Sequence, residues 1–497
     1  MRLLIVIWIS VQCTFKLLGQ SYFNEVYIDT SYYLMVATNV EDVEDGYIFP
    51  SPYRSNEDAS LRGFNIISIA SNGVFVSKTE VLEPGNGIIY ANYAESFTEV
   101  DGGYVQCTRY NDTAVVVKVD FSFQLQWMTK VPDIEGFERC VELSNGQLLC
   151  ISNSTDPDPA ILHLYWLDQN GNIVYEKLIS PFASSDFYLT SRVIELTNGD
   201  LLLSGLYLYN SDAQQWMIRL NSNGDEIWKK FWDYEYRDGF LWPIVISENE
   251  AIAAFGHVDT VYNPNSADHS WYDSRIGTMR VDLDTGDTSD VILYTNVLSI
   301  PFITDFERTA SGGFAILGFY QNVETFLPYS SFIMNLDPDR NLNWFKEYNH
   351  LPIEESDQQW SQAYDIDLTP DSGFVVAGTW VDPSIDNRQA PWLFKIDGCG
   401  DLQWNNCSLT EIAETPDRTA KIFAYPNPAD DIIKITCNIQ NPEIRWYDMN
   451  GKICSPLLLS KVQGEWVFSA KDLKQGVYAV CFHNADGMSE TIKVIVR

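Results

Sequence analysis

Positive charge is scarce in this chain. It holds 32 Lys and Arg against 68 Asp and Glu, a formal net charge of -36. So acid an envelope repels nucleic acid phosphates and anionic membrane surfaces, which argues against nucleic acid as a partner. Histidine is scarce as well, with five in 497 residues. His163, His257, His269 and His350 are scattered and His483 lies near the C-terminus, so no histidine cluster for metal binding or proton transfer is legible. The linear signatures of catalysis are missing: there is no HExxH, no G-x-S-x-G, no Walker loop and no paired CxxC. Beyond the N-terminus no stretch approaches the ~20 apolar residues a membrane-spanning helix requires, so no transmembrane anchor is expected.

What the chain does have is apolar and aromatic residues suited to strands. Hydrophobic residues make up 45% and aromatics 14%, with 15 Trp, 27 Tyr and 26 Phe. Together with abundant Val, Ile and Thr they favour pleated, half-buried surfaces over helices, and the length allows two or three domains. The N-terminus, MRLLIVIWISVQCTFKLLGQS, combines Arg2, an apolar core from Leu3 to Phe15 and a cleavage-like Leu18-Gly19-Gln20. Residues 1–20 therefore predict a signal peptide. Lys16 keeps the apolar run too short for an anchor, and Cys13 is not followed by a mature start, which argues against a lipoprotein.

Export gives the cysteines a different meaning, because disulfides persist in oxidising compartments. All but Cys13 of the nine cysteines would remain after cleavage. Cys399 and Cys407, close together in CGDLQWNNC, are the best pair. Cys140 and Cys150 flank the turn of CVELSNGQLLC; in a two-residue Asn-Gly hairpin Cys150 would lie opposite Val141, leaving the sulfurs on opposite faces unless a bulge intervenes.

A phrase recurs along most of the chain: Asp or Asn, two residues, Gly, three residues, then an aromatic. It stands in LDQNGNIVY ending at Tyr175, LNSNGDEIW ending at Trp228 and IDGCGDLQW ending at Trp404. Weaker copies end at Trp127 and Trp344, and others surround Gly73 and Gly286. Upstream of the copies comes a polar glycine turn followed by an apolar run, as in LSNGQLLC, LTNGDLLLSG, ASGGFAILG and PDSGFVVAG. Each unit reads as two β-hairpins. A lone four-stranded sheet cannot bury both faces, whereas like sheets stacked around an axis can, which is the logic of a β-propeller. Seven units are counted, and two stacked sandwiches are the less regular alternative. The expectation is an all-β chain: a seven-bladed β-propeller over residues 21–408, a polar linker at 409–420, and a small C-terminal β-sandwich over 421–497, taken as immunoglobulin-like.

The repeat resembles the tryptophan-docking phrase of quinoprotein dehydrogenases, but its Asp-to-Gly gap is usually shorter. No adjacent cysteine pair exists to cover a quinone, so no cofactor is expected. The tail gives a more specific resemblance. YPNPADDIIKI (Tyr425 to Ile435), YDMNGKI (Tyr447 to Ile453), LKQGVYAV (Leu473 to Val480) and the closing TIKVIVR resemble the type A C-terminal sorting domain of type IX secretion system substrates of Gram-negative bacteria. That resemblance implies passage to the periplasm, export across the outer membrane by the type IX machinery, and release or attachment at the cell surface. It carries sorting-motif roles onto Pro426, Asn427, Pro428, Gly451, Gly476 and Tyr478. The fixed φ of the two prolines gives a rigid start that separates tail from cargo.

Residue chemistry beyond the scaffold is thin. DLDTGDTSD, with Asp282, Asp284, Asp287 and Asp290, has the oxygen density that calcium prefers but lacks a full loop pattern, so it reads as an acidic turn and no metal is expected. Trp271 and Tyr272, in a long insertion of the fifth unit, are weak ligand-binding candidates, since rings stack on sugars while nearby polar groups fix orientation. Three functions remain: a non-enzymatic surface or secreted propeller that binds a protein or glycan, a hydrolase or lyase whose carboxylates meet at the propeller axis and leave no linear motif, or, with least support, a structural adhesin of a surface layer. Buried carboxylates with raised pKa at the axis would favour the enzyme.

Overall fold

The structure is a computed structural model. It describes residues 22–402 and 422–496 apart from stretches between strands, the longest being 87–95, 154–160, 180–186, 233–239, 263–269 and 351–359. Among the described residues every regular element is a strand, as the content of branched and aromatic residues predicts. The chain divides into two compact units, Met1–Cys407 and Ser408–Arg497.

In the first unit, five antiparallel four-stranded sheets follow one another along the chain. A nine-stranded sheet joins its two ends. Its first part is the meander Glu41–Val43, Gly46–Ser55, Leu61–Ala70 and Phe75–Asn86, and its last part is Trp360–Leu368, Phe374–Asp382 and Arg388–Ile396. The final sheet takes its outer strand from the N-terminus, because Phe23–Val26 pairs antiparallel with Arg388–Ile396, Phe23 opposite Lys395 and Val26 opposite Trp392. Tyr32–Met35 then bridges the two parts. Each sheet has two apolar faces, and the apolar clusters of this unit straddle neighbouring sheets. Val105, Val116 and Cys107 meet Phe137, Cys140 and Tyr165; Leu149, Leu164 and Trp166 meet Leu203, Trp216 and Ile218. The last cluster sets Val375, Ala377 and Leu393 of the final sheet against Tyr47, Phe49 and Ile67 of the first. The stack therefore closes on itself, and closure hides the sheet faces that an open stack would expose. The fold is a β-propeller.

The repeat phrase builds the joints between sheets. In its turn the Asp168 backbone N–H donates to Asn172 O at 2.9 Å, Gly171 N–H donates to Asp168 O at 2.9 Å, and Asp168 Oδ1 accepts from the N–H groups of Asn170 and Asn172. The fourth turn position takes a left-handed φ, +79° at Gly171, +78° at Gly224 and +77° at Gly400, the conformation glycine adopts without penalty. Space also demands glycine there, since a Cβ on Gly171 would lie 2.6 Å from the Trp127 ring and one on Gly400 would lie 2.8 Å from Trp344. The aromatic that ends one unit thus sits on the turn glycine of the next. Its ring N–H closes the joint: Trp127 donates to Gln169 O at 2.9 Å, Trp228 to Leu283 O at 2.7 Å and Trp344 to Gly398 O at 3.0 Å. At the seam the N-terminal strand takes over the role. Phe23 lies against Gly73, and the Tyr27 hydroxyl donates to Gly73 O at 2.7 Å.

These turns hold three residues rather than two, and this corrects the expectation for Cys140 and Cys150. In the hairpin around Ser144-Asn145-Gly146, Leu143 N–H donates to Gln147 O at 2.7 Å, and Gly146, at φ +79°, supplies the extra residue. The register moves by one, Cys140 stands directly opposite Cys150, and both sulfurs lie on one face.

The second unit contains two four-stranded sheets sharing one core. Ile433, Ile435, Trp466 and Phe468 from one pack with Trp446, Tyr478, Val480, Phe482 and Val494 from the other. Tyr478 is buried and its hydroxyl donates to Lys474 O at 2.6 Å. Gly476 pairs with Val496. Pro426, Asn427, Pro428 and Gly451 lie outside the described residues.

Candidate functional site

The first strand of each meander faces the propeller axis. Residues from all of these strands, including Glu41, Thr98, Cys140, Arg192, Pro243, Glu307 and Asp367, line a single cavity of about 510 Å³. A bulge interrupts several of the strands at an equivalent place, between Phe137 and Arg139, Thr190 and Arg192, Ile303 and Asp305, and Ala363 and Asp365. Bulges re-aim the side chain that follows, and here that residue is charged every time. Each one reaches the inner strand of the next sheet. Arg139 Nε donates to Ser191 O at 2.7 Å and Arg192 donates to Pro243 O at 3.3 Å. Asp305 Oδ2 accepts from Ile366 N–H at 3.1 Å, and Asp365 Oδ2 accepts from Val40 N–H at 2.7 Å, the last contact crossing the seam. This belt satisfies backbone groups on inner strand edges that would otherwise be buried without partners.

Inside the belt the carboxylates crowd together. Asp305 and Glu307 share the Arg192 guanidinium at 3.3 and 2.5 Å. Asp367 accepts from the N–H of Asp42 at 2.9 Å and of Leu368 at 2.8 Å. Burial, then the charges of Asp367, Glu99 and Glu307, push the Glu41 carboxyl up to about 8. Burial and Asp367 push Asp42 up to about 6. Burial also raises Asp367, with Glu307 adding to it, and raises Asp365 well above the usual carboxylate range. Burial thus holds Glu41 and Asp365 toward the protonated form, which can donate a hydrogen bond, beside the ion-paired Glu307, which accepts.

Sequence reasoning placed carboxylates at the axis only as an unlocated alternative and named none of them. The usable signal was charge at alternate positions just before the glycine turns, TDFER and YDIDL. In a strand, residues two apart share a face, so Asp305 with Glu307 and Asp365 with Asp367 point the same way.

The candidates named from the sequence lie elsewhere. Trp271 and Tyr272 stand in the strand Ser270–Asp282, opposite Val261 and Thr260, so the insertion is an elongated hairpin there rather than a loop. In DLDTGDTSD, Asp282 Oδ1 accepts from Asp284 and Thr285 N–H, while Asp284, Asp287 and Asp290 pair with Arg219, Lys230 and Arg280. These contacts give the acidic turn a structural role. Cys399 is disulfide-bonded, and its expected partner Cys407 lies outside the described residues. Among the described residues, one group of potential ligand side chains converges closely enough to hold a metal: the buried Cys107, Cys140 and Cys150, whose sulfurs all lie within 4.8 Å of one another.

Comparison with known proteins agrees with the tail. Residues 423–497 match the family described as Secretion system C-terminal sorting domain, so the chain is a β-propeller carrying a type IX sorting tail. The tail implies interaction with the secretion machinery and export to the cell surface or beyond. No described helix is long and apolar enough to cross a membrane. No curated protein matches the chain. Similar solved structures include the Pan2 WD40 domain of Neurospora crassa, 10% identical over 76% of this chain and 95% of that one, with a TM-score of 0.42. The α-L-arabinofuranosidase Arb93A of Fusarium graminearum is 11% identical over 76% and 98%, at 0.41. Drosophila Plexin A, in complex with Semaphorin 1b, is 7% identical over 76% and 86%, at 0.42.

Proposed function

We propose that the protein is a type IX secretion substrate of a Gram-negative bacterium, delivered by a cleaved signal peptide at 1–20 and by the sorting tail to the outer-membrane surface or the medium. There its seven-bladed propeller binds a hydroxyl-rich ligand, a glycan, in the axial cavity. The count of seven is supported by the meanders and by the apolar clusters that link each to the next. The tail is read as an immunoglobulin-like sandwich in which Pro426, Asn427, Pro428, Gly451, Gly476 and Tyr478 carry the sorting signal, with 409–420 as linker and Cys399 bonded to Cys407. Trp271 and Tyr272 are secondary candidates for ligand contact.

What carries the binding site is the mixture, in the axial cavity, of carboxyls that burial holds toward the protonated form, Glu41 and Asp365, with the ion-paired Glu307. Sugar hydroxyls both donate and accept, and that mixture answers both. One observation favours the second reading, an extracellular glycoside hydrolase or lyase. An acid held up to about 8 beside the ion-paired Glu307 is the division of roles that general acid–base catalysis uses. A glycan array and a broad hydrolysis screen, run on the full chain and on Glu41→Ala, test both. Binding that falls at least tenfold in the variant, without turnover, supports recognition; turnover lost in the variant supports the enzyme. Glycan binding unaffected by the substitution removes the axial site.

A further inference from the structure

Cys107, on the strand Gly103–Tyr110, meets Cys140, on Phe137–Glu142, and Cys150, on Leu148–Asn153, within one apolar cluster shared by two adjacent sheets. All three are free thiols in the structure, with exposures of 0%, 6% and 0%. The geometry singles out one pair. Leu143 and Gln147 form a hydrogen-bonded pair at the turn, and the register runs unbroken from Glu142 opposite Leu148 back to Cys140 opposite Cys150. Hydrogen-bonded and non-hydrogen-bonded pairs alternate along an antiparallel ladder, so Cys140 and Cys150 form a non-hydrogen-bonded pair, where the Cα atoms approach to about 4.5 Å. That spacing lies inside the range a disulfide spans. Their sulfurs already lie 2.9 Å apart.

We propose that Cys140 and Cys150 become joined by a cross-strand disulfide during export, and that Cys107 stays beside it as a thiol of the neighbouring sheet. The surroundings favour this outcome, since Val105, Ala114, Val116 and Leu148 make the site apolar and a disulfide is neutral where a buried thiolate–metal cluster would carry net charge. Because Cys140 is 6% exposed once the fold is complete, the bond forms as the hairpin pairs, before the neighbouring sheet closes over it. The oxidant is a disulfide-bearing oxidoreductase of the export compartment. The Cys140 thiolate attacks its disulfide, a mixed disulfide forms, and Cys150 displaces it. Two protein thiols lose two electrons and two protons, and the oxidant leaves as a dithiol.

Exported full-length protein is unfolded in denaturant with an alkylating agent, then cleaved after glutamate without reduction, which cuts at Glu142 between the two cysteines. Mass spectrometry is expected to find the Cys140 and Cys150 peptides linked and Cys107 alkylated. Alkylation of all three, a link that includes Cys107, or copper(I) or zinc copurifying in stoichiometric amount with all three sulfurs unlinked overturns the proposal. Because buried substitutions can impair folding, reductant is also applied to folded protein. It is expected to lower the Tm of the wild type and of Cys107→Ser by several degrees more than that of Cys140→Ala/Cys150→Ala, in which only the Cys399 disulfide remains to be reduced. An equal response in all three proteins counts against the bond.

Discussion

At the scale of single residues, the turn glycines and their aromatics do most to join the sheets. Gly171 meets two demands at once, a left-handed φ and room for Trp127. Gly171→Ala is expected to cost roughly 1–2 kcal/mol from the backbone alone, and more from the clash, read as a lower urea midpoint. Trp228 is buried and hydrogen-bonded to the following sheet, so Trp228→Ala is expected to cost about 3–5 kcal/mol. At the axis Glu41 makes stability depend on pH. Its carboxyl is ordinarily at 4.5 and in the fold is held up to about 8, so between those values the folded state binds more protons than the unfolded chain. Stability must then fall as pH rises through that window. Thermal melts from pH 5 to pH 8 should show this decline, and Glu41→Gln should reduce it, leaving the slope due to Asp42, Asp365 and Asp367.

At the scale of elements, the N-terminal strand is the one whose place could not be anticipated from its own sequence. FNEV is short and has no glycine phrase around it, yet it completes the last sheet and docks Phe23 and Tyr27 on the first. Without it Arg388–Ile396 becomes an open edge. A chain lacking residues 22–28 is expected to melt at a lower temperature and over a broader range by calorimetry; an unchanged transition would show that closure does not depend on this pairing. The inner strands teach a related lesson. Their bulges aim Arg139, Arg192, Asp305 and Asp365 at the next sheet, and a bulge has no sequence signature comparable to the turn glycines. One inserted turn residue likewise decides that Cys140 and Cys150 share a face, where a two-residue hairpin would set them on opposite faces.

At the scale of the whole molecule, the protein combines a closed stack that buries its own sheet faces with a separate sandwich matched to a secretion family. The two units have distinct cores, so the propeller is expected to fold without the tail. Deleting residues 423–497 should leave the protein folded but retained in the periplasm, read by cell fractionation and by protease resistance. Loss of folding in the deletion would show that the tail also supports the cargo.

The residue pattern alone determined the strand-rich class, the repeated hairpins, the acid surface and the sorting tail, because each follows from local periodicity, turn chemistry or a contiguous motif. The axial site, the seam and the cysteine cluster were decided only by tertiary structure. Glu41, Arg192, Glu307 and Asp367 are far apart along the chain and acquire their shared cavity and shifted protonation only when the stack closes, since burial and mutual charge act through space.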